Sequence, residues 1–194
     1  LENHEESDRN GEKIRKILQL EELGSRVLSI NADAADKEQM RQALRQAEEQ
    51  WGKINGVIHS AGIADGGLIR MRTREMSRQV MASKVFGTLV LDELLKGREL
   101  DFFIFCSSIS AVKPPLGQVA YCAANNFMDN YAHYKTFRDG TFTVSINWGA
   151  WREVGMAVEA ARQLAGPQQA PKPGVKTVPV EYPFIERCEI MAET

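Results

Sequence analysis

The sequence lacks long apolar runs and any marked excess of charge of one sign. Its formal net charge is -2 at pH 7, which gives no electrostatic basis for binding nucleic acid or an anionic membrane. The longest apolar segments, such as residues 102–106, fall far short of the roughly 20 residues that a membrane-spanning helix needs. With 194 residues, 43% hydrophobic and 26% charged, the chain is expected to be soluble and globular, with about one domain.

Cysteine and histidine are also scarce, with three of each. Cys106, Cys122 and Cys188 have neither metal-ligand nor redox spacing, so we expect reduced thiols in a cytoplasmic protein, with Cys106 and Cys122 buried. His59 ends an apolar strand pattern, which favours a histidine in the core or at a strand end over a metal ligand. No metal site is predicted. The first ten residues are charged and lack the apolar core of a secretory signal, and they look more like the inside of a loop than a start.

Short apolar segments alternate with helical patterns along most of the chain. Strands are predicted at 26–30 (RVLSI), 55–62 (NGVIHSAG), 101–108 (DFFIFCSS) and 141–149 (TFTVSINWG), and helices at 14–23, 36–50, 73–95 and 120–137. This alternation predicts an α/β fold with a parallel, doubly wound sheet. Proline and glutamine become frequent after residue 156. We therefore predict a domain over 1–157 and a linker or tail over 158–194.

Polar and small residues collect where the predicted strands end. In an open α/β sheet the ligand lies at the carboxyl ends of the strands, so their convergence predicts a site. Any one of them, such as Ser108, could equally do no more than cap a loop. The residues at these ends are Asp33, Ser60, Ala61, Gly62, Ser107, Ser108, Trp148 and Gly149.

Four residues form a pattern that is suited to carbonyl chemistry. Tyr121 follows Ser108 by thirteen positions, Asn125 lies one helical turn further on, and Lys84 precedes Ser108 by twenty-four positions. A phenol titrates near pH 10, and a neighbouring ammonium favours its ionised form. Lys84 taken alone is typical of a solvated helix lysine, but its spacing to Ser108 and Tyr121 favours a role beside the phenol.

Five segments carry a family resemblance: HSAG, KVFGTLVLDELL, FFIFCSSIS, GQVAYCAANNFMDNYA and SINWGAW. Together, over about residues 33–156, they resemble the ketoreductase domain of a modular polyketide synthase, in the short-chain dehydrogenase/reductase superfamily. Ordinary members of that superfamily carry Tyr-x-x-x-Lys, whereas this chain has Asn125 four positions after Tyr121. The polyketide synthase enzymes have the same exchange, and the resemblance places their lysine at Lys84.

The resemblance implies reduction of a β-ketoacyl chain to β-hydroxyacyl by NADPH. Ser108 would hydrogen-bond the ketone, Tyr121 would protonate it, Lys84 would bind the ribose and acidify the phenol, and Asn125 would support the proton path. The substrate would be carried on the phosphopantetheine arm of an acyl carrier protein, among the other modules of a synthase. The cofactor would be bound by Lys84 together with Asp33, Ser60, Ala61, Gly62, Trp148 and Gly149.

The glycine-rich loop G-x-G-x-x-G, which holds a dinucleotide pyrophosphate, is absent from this sequence. By resemblance it belongs, with the first two strands, to a segment upstream of residue 1, and the closing strand and lid are also missing. We expect a fragment of a larger polypeptide in which residues 26–30 lack a neighbouring strand and residues 55–62 expose an edge. Such a chain would bind NADPH poorly. A non-catalytic or truncated ketoreductase and a fatty acid synthase ketoreductase remain alternatives.

Two further segments leave their interpretation open. The turn Ala64-Asp65-Gly66 lacks the second aspartate of one stereochemical subtype, and Lys113 stands where another subtype has tryptophan, so the hydroxyl configuration is not predicted. The basic run at 70–78 (RMRTREMSR) fits either a solvated loop and helix start or a docking site for an acidic carrier protein.

Overall fold

The computed structural model describes residues 9–151, 155, 156 and 158. The chain divides into two compact units, 1–149 and 150–194. The predicted tail therefore lies almost wholly outside the described residues, and the predicted boundary at 157 stays a prediction. The elements of the first unit are α1 (Arg9–Glu22), α2 (Lys37–Trp51), β1 (Gly56–His59), α3 (Arg74–Met81), α4 (Gly87–Leu94), β2 (Phe102–Ser108), α5 (Val119–Asp139) and β3 (Thr143–Trp148).

The helix ends follow local signals in the sequence. The Asp36 carboxylate accepts hydrogen bonds from the backbone N–H groups of Glu38 and Gln39 and so caps α2, which ends at Gly52 with φ of 82°. Thr73 caps α3 in the same way through the amide of Met76. These bounds confirm the predicted helix starts at residues 36 and 73.

The predicted helix over 73–95 is not uniform. A π turn (Ala82–Phe86) separates α3 from α4 and widens the helix by one residue per turn at that point. Lys84 lies at the centre of this turn. The sequence pattern gave the extent of the helical segment and missed the change of winding inside it.

The three strands form one parallel sheet in the order β1-β2-β3. His59 lies opposite Phe105, and Ser108 lies opposite Trp148. The predicted parallel α/β architecture is confirmed for this part of the fold. Because the strands run in the same direction, their carboxyl ends lie along one edge, where the predicted site residues were expected to meet.

The core lies where the central strand meets two helices. Phe103 and Phe105 of β2 are completely buried and pack with Leu91 of α4 and with Met128 of α5. Alternate residues of β2 thereby fix both helices against the sheet. This packing sets the distance between α4 with its preceding π turn and the start of α5.

Residues 26–30, predicted as a strand that lacks a neighbour, pair with no described strand and are not assigned as a strand. One expectation about the interior is wrong. Cys106 and Cys122 carry free thiols but are only half-buried, and Cys188 lies outside the described residues. Within the described sheet β1 pairs only with β2, so its other edge is open, as predicted.

Candidate active site

Lys84 is the cationic member of the predicted constellation, and it is buried. Its side chain, 2% exposed, runs from the π turn toward the sheet, where Nζ donates a hydrogen bond to the carbonyl of Cys106 at 2.8 Å. Gly62 of the HSAG segment lies directly against it, since a methyl group at Gly62 would stand 2.8 Å from Lys84 Cε. The glycine therefore allows the turn after β1 to pass close over the lysine.

Tyr121 lies beside this lysine. It is the third residue of α5 and is half-buried, and Lys84 Nζ lies 5.7 Å from the centre of its ring. An ammonium at this distance from an aromatic ring is within the range of a cation–π contact. The fold thus joins two residues that are 37 positions apart in the sequence, as the spacing predicted.

Asn125 lies one turn further along α5 and is completely buried. Its Nδ2 donates to the backbone carbonyl of Tyr121 at 2.7 Å, and its backbone carbonyl accepts a hydrogen bond from Ser107 Oγ at 3.3 Å. Its Oδ1 is buried and has no hydrogen-bond partner among the described residues. A buried acceptor without a partner is costly in a purely structural position, which favours a ligand or water there.

Ser108 is the last residue of β2, at the carboxyl edge of the sheet. Its Oγ accepts a hydrogen bond from the amide of Ser110 at 3.2 Å and so caps the short 3₁₀ turn that follows. This contact realises the simple loop-capping interpretation. The contact is also compatible with a hydrogen bond from Ser108 to a ketone, because a hydroxyl that accepts a hydrogen bond can still donate its own proton.

The electrostatics of the site are set by burial. Burial lowers the pKa of Lys84 to about 8, although the negative charges of Cys106, when ionised, and of Asp129 act in the opposite direction. Burial and the charge of Lys84 lower the pKa of His59 to about 4, so this imidazole is neutral at pH 7. His59 is 4% exposed and its Nε2 lies 3.0 Å from the carbonyl of Ser83, which confirms a core histidine.

The predicted cofactor residues are only partly assembled around this centre. Ser60 and Gly149 are exposed, Ala61 is half-buried, and Trp148 is 41% exposed. Register pairing places Trp148 directly beside Ser108. The hydrogen bonds of Asp33 among the described residues stay within its own loop and the start of α2, at 2.9 Å to Ala35 N and 3.0 Å to Gln39 Oε1.

Two acidic residues near the site were not singled out as site residues from the sequence. Asp65 accepts hydrogen bonds from the backbone N–H groups of Ala120 and Tyr121, each at 3.1 Å. Asp129 accepts from Ser145 Oγ at 2.5 Å and from Asn147 Nδ2 at 3.1 Å, and so ties α5 to β3. The spacing of Tyr121, Asn125 and Asp129 at every fourth position is a signal that could have found the second residue.

The basic run at 70–78 also departs from the solvated interpretation at one position. Arg70, Arg74 and Arg78 are exposed, but the side chain of Arg72 is 7% exposed and forms an ion pair with Asp65. Among the described residues no cluster of histidine, cysteine, aspartate or glutamate is arranged to hold a metal ion. None of the helices in this part of the chain is long and apolar enough to cross a bilayer.

The sequence is similar to a known domain family and to proteins that contain it. The KR domain family matches residues 4–153. The chain is 36% identical over 149 residues to polyketide synthase PksM of Bacillus subtilis, covering 77% of this chain and 4% of that protein. It is 32% identical over 144 residues to 6-methylsalicylic acid synthase of Penicillium patulum, covering 74% of this chain and 8% of the relative.

Solved structures agree with this match. A ketoreductase domain from the bacillaene assembly line superposes with a TM-score of 0.72 at 34% identity, over 82% of this chain and 41% of that one. An N-terminal ketoreductase from the macrolactin assembly line gives 0.69 at 36% identity, over 76% and 30%. The chain thus spans less than half of these ketoreductases. It belongs to the KR domain family of polyketide synthases and has part of the Rossmann-like fold of short-chain dehydrogenases.

Proposed function

We propose that this chain is the catalytic part of a polyketide synthase ketoreductase, which reduces a β-ketoacyl chain on an acyl carrier protein to β-hydroxyacyl with NADPH. The observation that carries the proposal is the buried ammonium of Lys84, which lies 5.7 Å from the ring of Tyr121 and donates to the carbonyl of Cys106, two residues before Ser108 on β2. Membership of the KR domain family supports it.

Each member of the constellation has a separate task in this reaction. The Ser108 hydroxyl donates a hydrogen bond to the ketone oxygen, and Tyr121 gives that oxygen its proton as negative charge develops there. The bound nicotinamide supplies the hydride that is added to the ketone carbon. Lys84 stabilises the phenolate that Tyr121 leaves behind, because its ammonium is buried where solvent screens charge weakly.

The residues present fit the nicotinamide end of such a cofactor. Glycine at position 62 lets the backbone of the turn after β1 approach Lys84 directly, since a methyl group there would stand 2.8 Å from Lys84 Cε. Lys84 Nζ has one protein hydrogen bond among the described residues, to a carbonyl, so it keeps donors for ribose hydroxyls. The unpartnered Oδ1 of Asn125 supplies an acceptor for a water on the proton path.

We extend the proposal to the setting of the reaction. The relatives are large synthases of which this chain spans 3% to 8%. The substrate is accordingly a phosphopantetheine-linked acyl chain delivered by a carrier protein within a cytoplasmic multidomain synthase, and Asp33, Ser60, Trp148 and Gly149 line the path of the cofactor. A fatty acid synthase ketoreductase would use the same residues, but the similarity of this chain to polyketide synthases favours the polyketide class.

The test compares the 194-residue chain with the same chain joined to the glycine-rich N-terminal part of the bacillaene ketoreductase. We expect reduction of a β-ketoacyl thioester only in the joined protein. The reaction is measured as the loss of NADPH absorbance. Tyr121→Phe should abolish it while NADPH affinity stays nearly unchanged. Tyr134→Phe, a half-exposed tyrosine of the same helix, is the matched control.

Three outcomes would count against the proposal. Equal activity of Tyr121→Phe and the unsubstituted joined protein would remove the tyrosine as the acid. A joined protein that binds NADPH but reduces no β-ketoacyl thioester would favour the non-catalytic alternative. Micromolar NADPH affinity of the isolated chain would refute the expectation that it lacks an essential part of the cofactor site.

A further inference from the structure

The helix that carries Tyr121 begins without a cap of its own. Gln118, the residue before α5, makes no capping hydrogen bond with its side chain. The first amides of the helix are bonded instead by Asp65, whose Oδ2 accepts from Ala120 and from Tyr121 at 3.1 Å each. Asp65 lies 55 positions earlier, in the loop after β1. A carboxylate at a helix N-terminus is also favoured by the helix dipole.

Asp65 is itself held firmly. Its other oxygen, Oδ1, accepts from the amide of Gly66 at 2.8 Å and from Nη2 of Arg72 in an ion pair. The two side chains are only 3% and 7% exposed. With both oxygens engaged and little solvent access, Asp65 has no lone pair directed at a reacting group. Its function is therefore to hold the backbone.

The two loops touch at a second point. Gly117 has a φ of +81°, and a methyl group there would stand 3.2 Å from the carbonyl oxygen of Gly67. Both the backbone conformation and this close approach require glycine at position 117. The segment leading into α5 is thus seated directly on the loop that follows the HSAG turn.

From these contacts we infer that Asp65, held by Arg72, is a positioning residue that fixes Tyr121 relative to the turn carrying Gly62 and to Lys84. The inference rests on the proposed role of Tyr121 as the proton donor. Without the carboxylate, the first turn of α5 loses the acceptor for two adjacent amides, one of them that of Tyr121 itself. A phenol displaced by about 1 Å from its productive position can lose about 10²-fold in rate.

Amide hydrogen exchange on the full 194-residue chain tests the contact without any need for catalysis. Asp65→Asn preserves the size of the side chain and removes its charge. We expect exchange at Ala120 and Tyr121 to become at least tenfold faster, while the amide of Phe103, bonded to Phe142 O at 2.8 Å in the core, changes less than twofold. Glu99→Gln, at an exposed carboxylate paired with Lys53, should alter none of these amides.

A second variant protects the test against misfolding. Asp65→Asn leaves the buried guanidinium of Arg72 without its counter-charge, which can destabilise the whole chain. The double variant Asp65→Leu with Arg72→Met removes both charges and both acceptor oxygens and should show the same local loss of protection. Uniform acceleration at Phe103 together with Ala120 and Tyr121 in the double variant would overturn the inference in favour of a general stability role.

The catalytic arm uses the joined protein described above. The double variant should lower kcat about tenfold to a hundredfold and leave NADPH affinity within about twofold, since the displaced group acts in the chemical step. If the double variant changed neither kcat nor amide exchange at Tyr121, the positioning role of Asp65 would be refuted and the proposed function would stand. If Tyr121→Phe retained activity while Asp65→Asn still exposed these amides, the proposed function would fail and the contact between the loops would stand.

Discussion

Among the described residues two lysines are almost completely buried, and they have opposite surroundings. Lys84, in the π turn, is 2% exposed, and Lys135, near the end of α5, is 3% exposed. Lys135 Nζ donates to the carboxylates of Asp92 at 2.7 Å and Asp139 at 3.0 Å. Lys84 Nζ donates to a backbone carbonyl. One ammonium is neutralised by its neighbours, and the other is not.

The cluster around Lys135 is a structural connection between α4 and α5. Asp92 also accepts hydrogen bonds from Tyr131 at 2.7 Å and from both terminal nitrogens of Arg138 at 2.9 Å. Burial raises the pKa of Asp92, but these hydrogen bonds outweigh it and bring the value to about 2. Two carboxylates and two cations thus balance, and the cluster has no charge left to offer a ligand.

The surroundings of Lys84 have a different consequence. Its pKa of about 8 leaves it mostly protonated at neutral pH, although burial disfavours the charge. A buried ammonium without a carboxylate in contact costs stability, and such positions are concentrated at functional sites. Burial alone therefore does not distinguish a lysine in a structural ion pair from one with a proposed catalytic role; the charge of its hydrogen-bond partner does.

The largest expected difference between the two lysines is in catalysis. In the joined protein, Lys84→Met should lower kcat by about 10² to 10⁴-fold, because the phenolate of Tyr121 loses its ammonium. Lys135→Met should change kcat less than about threefold at a temperature where the protein stays folded. Steady-state reduction of a β-ketoacyl thioester measures both. A similar loss in the two variants would contradict the distinction.

Stability should show the reverse order. Lys135→Met removes one of the two cations that neutralise the buried carboxylate of Asp92 and should lower the free energy of unfolding by about 3 to 5 kcal/mol. Lys84→Met removes an ammonium that has no carboxylate in contact, so at pH 7 it should cost less or even stabilise. Urea unfolding of the full chain gives both values. A loss below about 1 kcal/mol for Lys135→Met would show that Arg138 alone is enough to neutralise the carboxylate of Asp92.

The pH dependence of stability isolates the charge on Lys84. Below pH 8 both the folded and the unfolded chain hold this proton, so the cost of burying the charge is fully present. Between pH 8 and 10.5 the folded chain loses the proton first, and stability rises with pH. The free energy of unfolding of the wild type relative to Lys84→Met should therefore increase by about 3 kcal/mol over this interval. A flat difference would mean that Lys84 titrates as an ordinary lysine.

The smallest effect is expected at an exposed lysine. Lys53 forms an ion pair with Glu99 at 3.4 Å, and the two side chains are 53% and 94% exposed. Lys53→Met should change the free energy of unfolding by less than about 0.5 kcal/mol, since solvent screens such pairs. Denaturation at two salt concentrations measures this effect. A loss of stability comparable to that of Lys135→Met would show that burial does not determine how much a lysine contributes.

Much of the local structure could be predicted because its causes lie within a few residues. Asp36 and Gly52 bound α2 through contacts with adjacent turns, and the apolar run of β2 forms a central strand. Residues 26–30 were expected to lack a neighbouring strand, and they form no described strand, because a strand depends on a partner that its own residues do not supply. The π turn was missed because its apolar spacing barely differs from that of an α-helix over one turn.

The candidate site was predictable only in part. The spacing of Lys84, Ser108, Tyr121 and Asn125 named four residues, and the fold places the lysine beside the tyrosine. The role of Asp65 was not predictable, because its partners lie 55 and 56 positions away and no local pattern relates them.

The sequence by itself determined the α/β class, the helix caps and the residue types of the constellation, since propensity, capping and spacing are local properties of the chain. Only the tertiary structure decided which buried lysine is neutralised, where the loop after β1 caps α5, and which backbone carbonyl accepts the hydrogen bond from Lys84. Those outcomes depend on contacts between distant segments, which form when α4 and α5 pack on β2.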